Sequence, residues 1–213
     1  MLSIRNARVD NLIERLKAKA EFPKFQSVLH EKVENERKAK EILEQNLSRL
    51  NKEHIEKIFE LVDEPYNLHP SWYGGGPPKW FGMLMNPNGR FMLNESAEKI
   101  NQWFNVVADN SLSAENRINR LLHKPYRIIY ASMGLITLML YLLDKPKYSI
   151  WFEALHEGMR ELYPDIGKYR ATAKDYILFN QVAKAFVKEY GFNDTELDYI
   201  LTAVTRMRDG TIF

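Results

Sequence analysis

At 213 residues, with 45% hydrophobic and 27% charged side chains, the chain carries enough apolar surface to bury a sizeable core, which excludes global disorder. It contains no cysteine, so a disulfide scaffold, a thiolate metal site and a thiol nucleophile are all excluded. A formal net charge of +2 identifies no partner, so any electrostatic argument rests on local clusters.

The first residues, MLSIRNARVDNLIERLK, have no apolar run of the secretory kind. Val9, Leu12, Ile13, Leu16 and Ala20 recur at helical spacing, and Pro23 is expected to close that helix. From Lys24 to Arg49, Glu, Lys and Arg predominate around Phe25, Val28, Leu29, Val33, Ile42, Leu43 and Leu47. This reads as one long exposed helix, or as two broken near Glu36. Asn51 is placed to cap the next helix, whose face is Ile55, Ile58, Phe59 and Val62.

The texture changes between Asp63 and Arg90, a segment dense in Pro and Gly and carrying Tyr66, Trp72, Tyr73, Trp80 and Phe81. Gly74-Gly75-Gly76-Pro77-Pro78 excludes regular structure. Asn86-Pro87-Asn88-Gly89 is a turn signal, and the apolar runs on either side, GMLM and RFML, allow one short hairpin near 82–93.

Helices resume beyond Asn94-Glu95-Ser96, with Ile100, Trp103, Phe104 and Val107 on one face. Ser113 caps a short helix bearing Ile118, Leu121 and Leu122. The uncharged stretch Ile128–Leu143 is too short to cross a bilayer and reads as the central buried helix. Its expected core residues are Ile128, Ile129, Met133, Leu135, Leu138, Leu140 and Leu143, joined by Trp103, Phe104, Leu155 and Phe186. A turn at Lys145-Pro146-Lys147 follows, then a helix over about 151–162. A longer helix is opened by Thr172 and ended by Gly191, and a last one runs from Thr195 to Met207. The expected fold is therefore all-α, one compact domain of about nine helices. It comprises N-terminal amphipathic helices (1–62), an aromatic Pro/Gly-rich loop (63–95) and a helical core (96–213).

Catalytic signatures are missing. Glu153 and His156 share a helix face, but a di-metal carboxylate site needs a second such pair and two further glutamates, which the sequence lacks. His30, His54, His69 and His123 have no metal-ligand spacing, and no nucleophile elbow, P-loop or dinucleotide fingerprint is present. No metal, cofactor or catalytic residue is expected. A hydrolase using Glu153, His156 or Asp198 is the weakest of the readings.

Two features point to nucleic acid. Arg117, Arg120, Lys124 and Arg127, spaced 3, 4 and 3 apart, share one side while the segment stays helical. Only Glu115 opposes them across 111–130, leaving a local charge of +3. The loop aromatics Trp72, Tyr73 and Trp80, with Lys79, suit either base stacking or the covering of a helical core.

The stretch Tyr130-Ala-Ser-Met-Gly-Leu-Ile-Thr-Leu-Met-Leu140 resembles a degraded helix-hairpin-helix segment. Gly134 and Thr137 match that pattern, whereas Ser132 replaces its first glycine and Ala131 its proline. The resemblance implies phosphate binding at a helix N-terminus by Ser132 and Gly134, flanked by the cations 117–127 and by Lys145 and Lys147. The continuation, with Pro146-Lys-Tyr148-Ser-Ile150 and Leu197-Asp198-Tyr199, is similar to the helical region preceding the motor of McrBC-type restriction and defence proteins. That likeness implies a cytoplasmic DNA-recognition domain working with a motor ATPase or GTPase and a nuclease, in cis or in trans. Helix-hairpin-helix glycosylases carry a hairpin lysine and, after the hairpin helix, an essential Asp. This chain has neither around Ser149–Phe152, which implies binding without catalysis. The alternative is a helical protein-interaction module docking through the aromatic loop, with no membrane partner in either case.

Overall fold

A computed structural model describes residues 6–18, 21–68, 91–129 and 131–209. Nine α-helices are present among them: α1 (Ala7–Lys17), α2 (Glu21–Gln45), α3 (Lys52–Leu68), α4 (Ala97–Ala108), α5 (Ala114–Leu122), α6 (Met133–Leu143), α7 (Glu153–Leu162), α8 (Ala173–Tyr190) and α9 (Leu197–Asp209). Short 3-10 turns occupy Phe91–Asn94 and Pro164–Ile166. No strand occurs among the described residues, and the fold is all-α.

Side-chain capping sets the helix starts. The Asn6 side chain accepts from Val9 N at 3.0 Å, Asn51 from His54 N at 2.9 Å, and Ser96 from Lys99 N at 3.2 Å. Ser113 and Thr172 do the same for α5 and α8. Each cap satisfies a backbone donor that the first helical turn leaves open. Gly191 ends α8 with φ of 66°, a left-handed conformation that favours glycine.

The centre is α6, apolar on every side and buried from Met133 to Leu142. It contacts α2, α4 and α5. Helix α2 pairs along its length with α3, and α7 packs closely on α9. That closeness has a specific cause: a Cβ placed on Gly158 of α7 would lie 2.1 Å from the Leu201 carbonyl oxygen of α9. Only glycine allows the two backbones to approach so nearly.

Polar side chains tie distant elements together. Asn101 of α4 accepts from Leu50 N at 2.7 Å and donates to Leu50 O at 3.0 Å, clamping the α2–α3 turn. Asn180 of α8 does likewise to the segment after α6, accepting from Ser149 N at 2.8 Å and donating to Lys147 O at 2.9 Å.

Several expectations need correction. Ile129 is 59% exposed, because residues 123–129 are not helical and the α6 period does not extend to them. Leu143, the last residue of α6, is only partly buried. Pro23 lies in the first turn of α2, where a missing N–H costs nothing, and does not terminate α1. Helix α2 is unbroken at Glu36, and that residue is buried, not exposed. Phe91–Asn94 form a 3-10 turn, so the second arm of the hairpin is not a strand; its first arm lies outside the described residues.

Candidate nucleic-acid interface

Helix α5 stops at Leu122 because the residue before a proline disfavours helical backbone, and Pro125 follows Lys124. The four-cation ridge is therefore not continuous. Arg120, Lys124 and Arg127 are exposed, but Arg117 is buried. Four residues before Leu121, it lies beside the apolar stripe and turns inward. Its Nη1 donates to Val107 O at 2.8 Å, its Nη2 donates to the Tyr148 hydroxyl, and the guanidinium sits 5.1 Å from the Tyr148 ring. Arg117 is a core residue, unavailable to a surface ligand.

Lys145 is also diverted. Its ammonium lies 2.5 Å from the Glu36 carboxylate and above the Tyr141 ring, in an internal network. Lys147 remains exposed. Gly134 is buried, and a Cβ there would meet Phe152 Cβ at 3.6 Å, so the glycine faces helix packing and provides no backbone approach to a phosphate. Trp72, Tyr73, Lys79 and Trp80 lie outside the described residues.

What the fold does bring together is a groove of about 580 Å³. One wall comes from the end of α5 and the following loop, with Asn119, Leu122, His123, Arg127 and Ile128. The other comes from Ala131 and Ser132 at the start of α6 and from Ala171, Thr172 and Ala173 at the start of α8. Ser132 is exposed at the N-cap of α6 and makes no side-chain cap bond, although Met133, Gly134 and Leu135 behind it are buried. At α8 the equivalent position is occupied, since Thr172 bonds Asp175. His123 Nδ1 donates to Asn119 O at 2.7 Å, which turns the other ring nitrogen outward.

Charge pairing separates this face from the rest of the surface. On α2, Arg37 pairs with Glu34 and Glu41, Lys38 with Glu34, and Lys40 with Glu44. Lys124 and Arg127, with the exposed Arg170 and Lys174 flanking the α8 wall, form no ion pair among the described residues. Sequence reasoning found Arg127 and Ser132 but missed Asn119, His123 and Thr172. Ala171, Thr172 and Ala173 lie some forty positions beyond the rest of the lining, and no local signal joins them to it.

The buried polar groups belong to structure. Lys32 of α2 pairs with Asp198 of α9, donates to Thr195 O at 2.7 Å and lies 3.7 Å from Glu36. The Tyr141 hydroxyl donates to Glu36 at 3.0 Å. Burial pushes the Asp198 carboxyl above the usual carboxylate range, with Lys32 opposing that shift. Asp198 is 4% exposed, and its carboxylate is taken up by the Lys32 ion pair. Lys32, a cation on the long charged helix α2, is only 5% exposed.

His156 is equally committed. Trp151 Nε1 donates to its Nδ1 at 3.1 Å, and its Nε2 donates to Gly167 O at 3.1 Å. Both ring nitrogens are used, so His156 has no lone pair left for a metal. Among the described residues no three His, Asp or Glu side chains form a group able to hold a metal ion, and no helix is long and apolar enough to cross a membrane. Compared with protein-family models, curated proteins and solved structures, the chain finds no significant match.

Proposed function

We propose that this chain is a non-catalytic DNA-binding domain of a restriction or defence-type system, which grips the sugar-phosphate backbone with the face around the α5–α6 groove. The observation that carries the reading is electrostatic: Arg127 lines the groove, exposed Lys124, Arg170 and Lys174 adjoin its lining segments in the chain, and none of the four forms an ion pair among the described residues, while α2 pairs its own cations. Exposed cations without a carboxylate partner are what a phosphate backbone recognises. The motor and nuclease implied by the McrBC-type resemblance supply the energy and the cleavage in this reading.

A salt titration of binding to duplex DNA tests it. Each phosphate contact contributes about 0.9 to the slope of log affinity against log salt. Replacing Lys124 and Arg127 together by Ala weakens binding and flattens that slope by about 1 to 2. Lys38→Ala, on the ion-paired α2 surface, changes neither. Absence of binding to any DNA form at low salt overturns the proposal.

A further inference from the structure

We infer that the α5–α6 groove receives one unstacked nucleotide, so that the chain prefers single-stranded or locally opened DNA to a closed duplex; this rests on the DNA-binding reading above. The size of the groove is the starting point. Phosphate contacts need only a shallow rim of donors, whereas about 580 Å³ falls within the roughly 300–1,000 Å³ typical of pockets that enclose an organic ligand.

The lining divides accordingly. Leu122, Ile128, Ala131 and Ala173 make an apolar floor, which offers nothing to an anion, and Ala171 stands at its exposed edge. Asn119, His123, Arg127, Ser132 and Thr172 supply the polar rim. A closed duplex presents phosphates on a convex ridge, which meets the rim and leaves the floor wet. An unstacked base instead removes both apolar surfaces from water, while its edge finds the Asn119 amide and the outward His123 nitrogen. Arg127 then stands at the rim for the adjoining phosphate, and the exposed Arg170 and Lys174, on either side of Ala171–Ala173 in the chain, offer further cations to the strand. The small side chains of the second wall matter here, because Ala131, Ala171 and Ala173 leave open the space a base occupies.

The test uses the full chain and three labelled probes of one sequence, read by fluorescence anisotropy at one salt concentration: a single strand, a blunt duplex, and a duplex with a short central mismatch bubble. The single strand and the bubble are expected to bind about tenfold or more tightly than the blunt duplex. Ala171→Trp fills the groove from an exposed position without touching charge. It should lower affinity for both favoured probes at least severalfold more than for the blunt duplex, removing most of the preference. Asn119→Trp, on the α5 wall, should do the same, and an unaltered helical circular dichroism spectrum identifies a folded variant. Arg127→Ala should weaken all three probes alike. Equal binding to the three probes, or groove-filling variants that lower all three equally, overturns the inference and leaves backbone binding standing. No binding to any probe overturns both.

Discussion

The Lys32 ammonium and the Asp198 carboxylate meet across 166 residues of chain, inside the protein, at the contact of α2 with the start of α9. Both side chains are more than nine-tenths buried. Glu36, Lys145 and Tyr141 complete the network, so its formal charges balance. Such a pair need not stabilise the fold beyond an apolar replacement, but leaving one member alone is costly.

Lys32→Met is therefore expected to lower stability by about 3–5 kcal/mol, read from urea denaturation. Lys32→Met combined with Asp198→Leu should cost clearly less than the two single changes together. Asp198 titrates in the folded chain above its unfolded value, so protonation favours the folded state and removes the need for a counter-charge. The deficit of Lys32→Met should accordingly shrink from neutral to mildly acidic pH. A deficit that is unchanged by pH would show that Asp198 is not the group left stranded.

Two glycines on buried helix faces make opposite forecasts. Gly158→Ala places a methyl 2.1 Å from the Leu201 carbonyl, and backbone must move to admit it. The expected loss is about 1–3 kcal/mol, despite a gain of about 1 kcal/mol in helix propensity. Gly134→Ala meets its nearest neighbour, Phe152 Cβ, at an ordinary 3.6 Å and should be neutral or stabilising. Thermal unfolding of the two variants side by side checks the contrast.

His156→Leu strands two groups at once. The Trp151 indole N–H and the Gly167 carbonyl lose their partner, at about 1–3 kcal/mol for each one that stays buried. Zinc added to the unaltered protein should leave the unfolding midpoint where it was, since neither imidazole nitrogen is available. A rise in midpoint with zinc that disappears in His156→Leu would contradict this assignment.

Burial holds the phenols of Tyr141, Tyr163 and Tyr176 well above their usual range; the carboxylates of Glu36 and Asp198 add to the effect at Tyr141. In the unfolded chain these groups ionise near pH 10. Their folded values lie higher, so the stability they confer is fully present below about pH 10 and is lost as pH rises above it. Tyrosinate absorbance should appear together with loss of helical circular dichroism in one alkaline transition. Tyrosinate forming fully while the helices persist would contradict it.

Local chemistry made much of this fold legible. Ser96, Ser113 and Thr172 announce helix starts through short-range side-chain bonds, and Gly191 announces an end, so the boundaries follow from neighbouring residues alone. What failed depended on partners far along the chain or on where a helix stops. Arg117 reads as a surface cation until α5 is seen to place it beside Leu121, against Val107 and Tyr148. Ile129 falls outside α6, so the helical period assigned it a face it does not occupy.

The interface was visible in halves. The excess of positive charge over 111–130 marked one wall, and Ser132 marked part of the other. Ala171, Thr172 and Ala173 carry no charge and no motif, and only the packing of α8 against α5 brings them there. Lys32 had one local cue: with Glu36, Ala39 and Leu43 it forms a single helical stripe, and every member of that stripe is buried.

The pairing of α2 with α9 bears on how the protein can be dissected. A fragment beginning after α3 would lack Lys32 and Glu36, leaving Asp198 as a buried anion and Lys145 and the Tyr141 hydroxyl without their acceptor. It would also uncover the side of α6 that α2 shields. The groove-bearing half thus depends on the first helices for its own integrity, and a swap between related proteins would have to move α2 and α9 as a matched set.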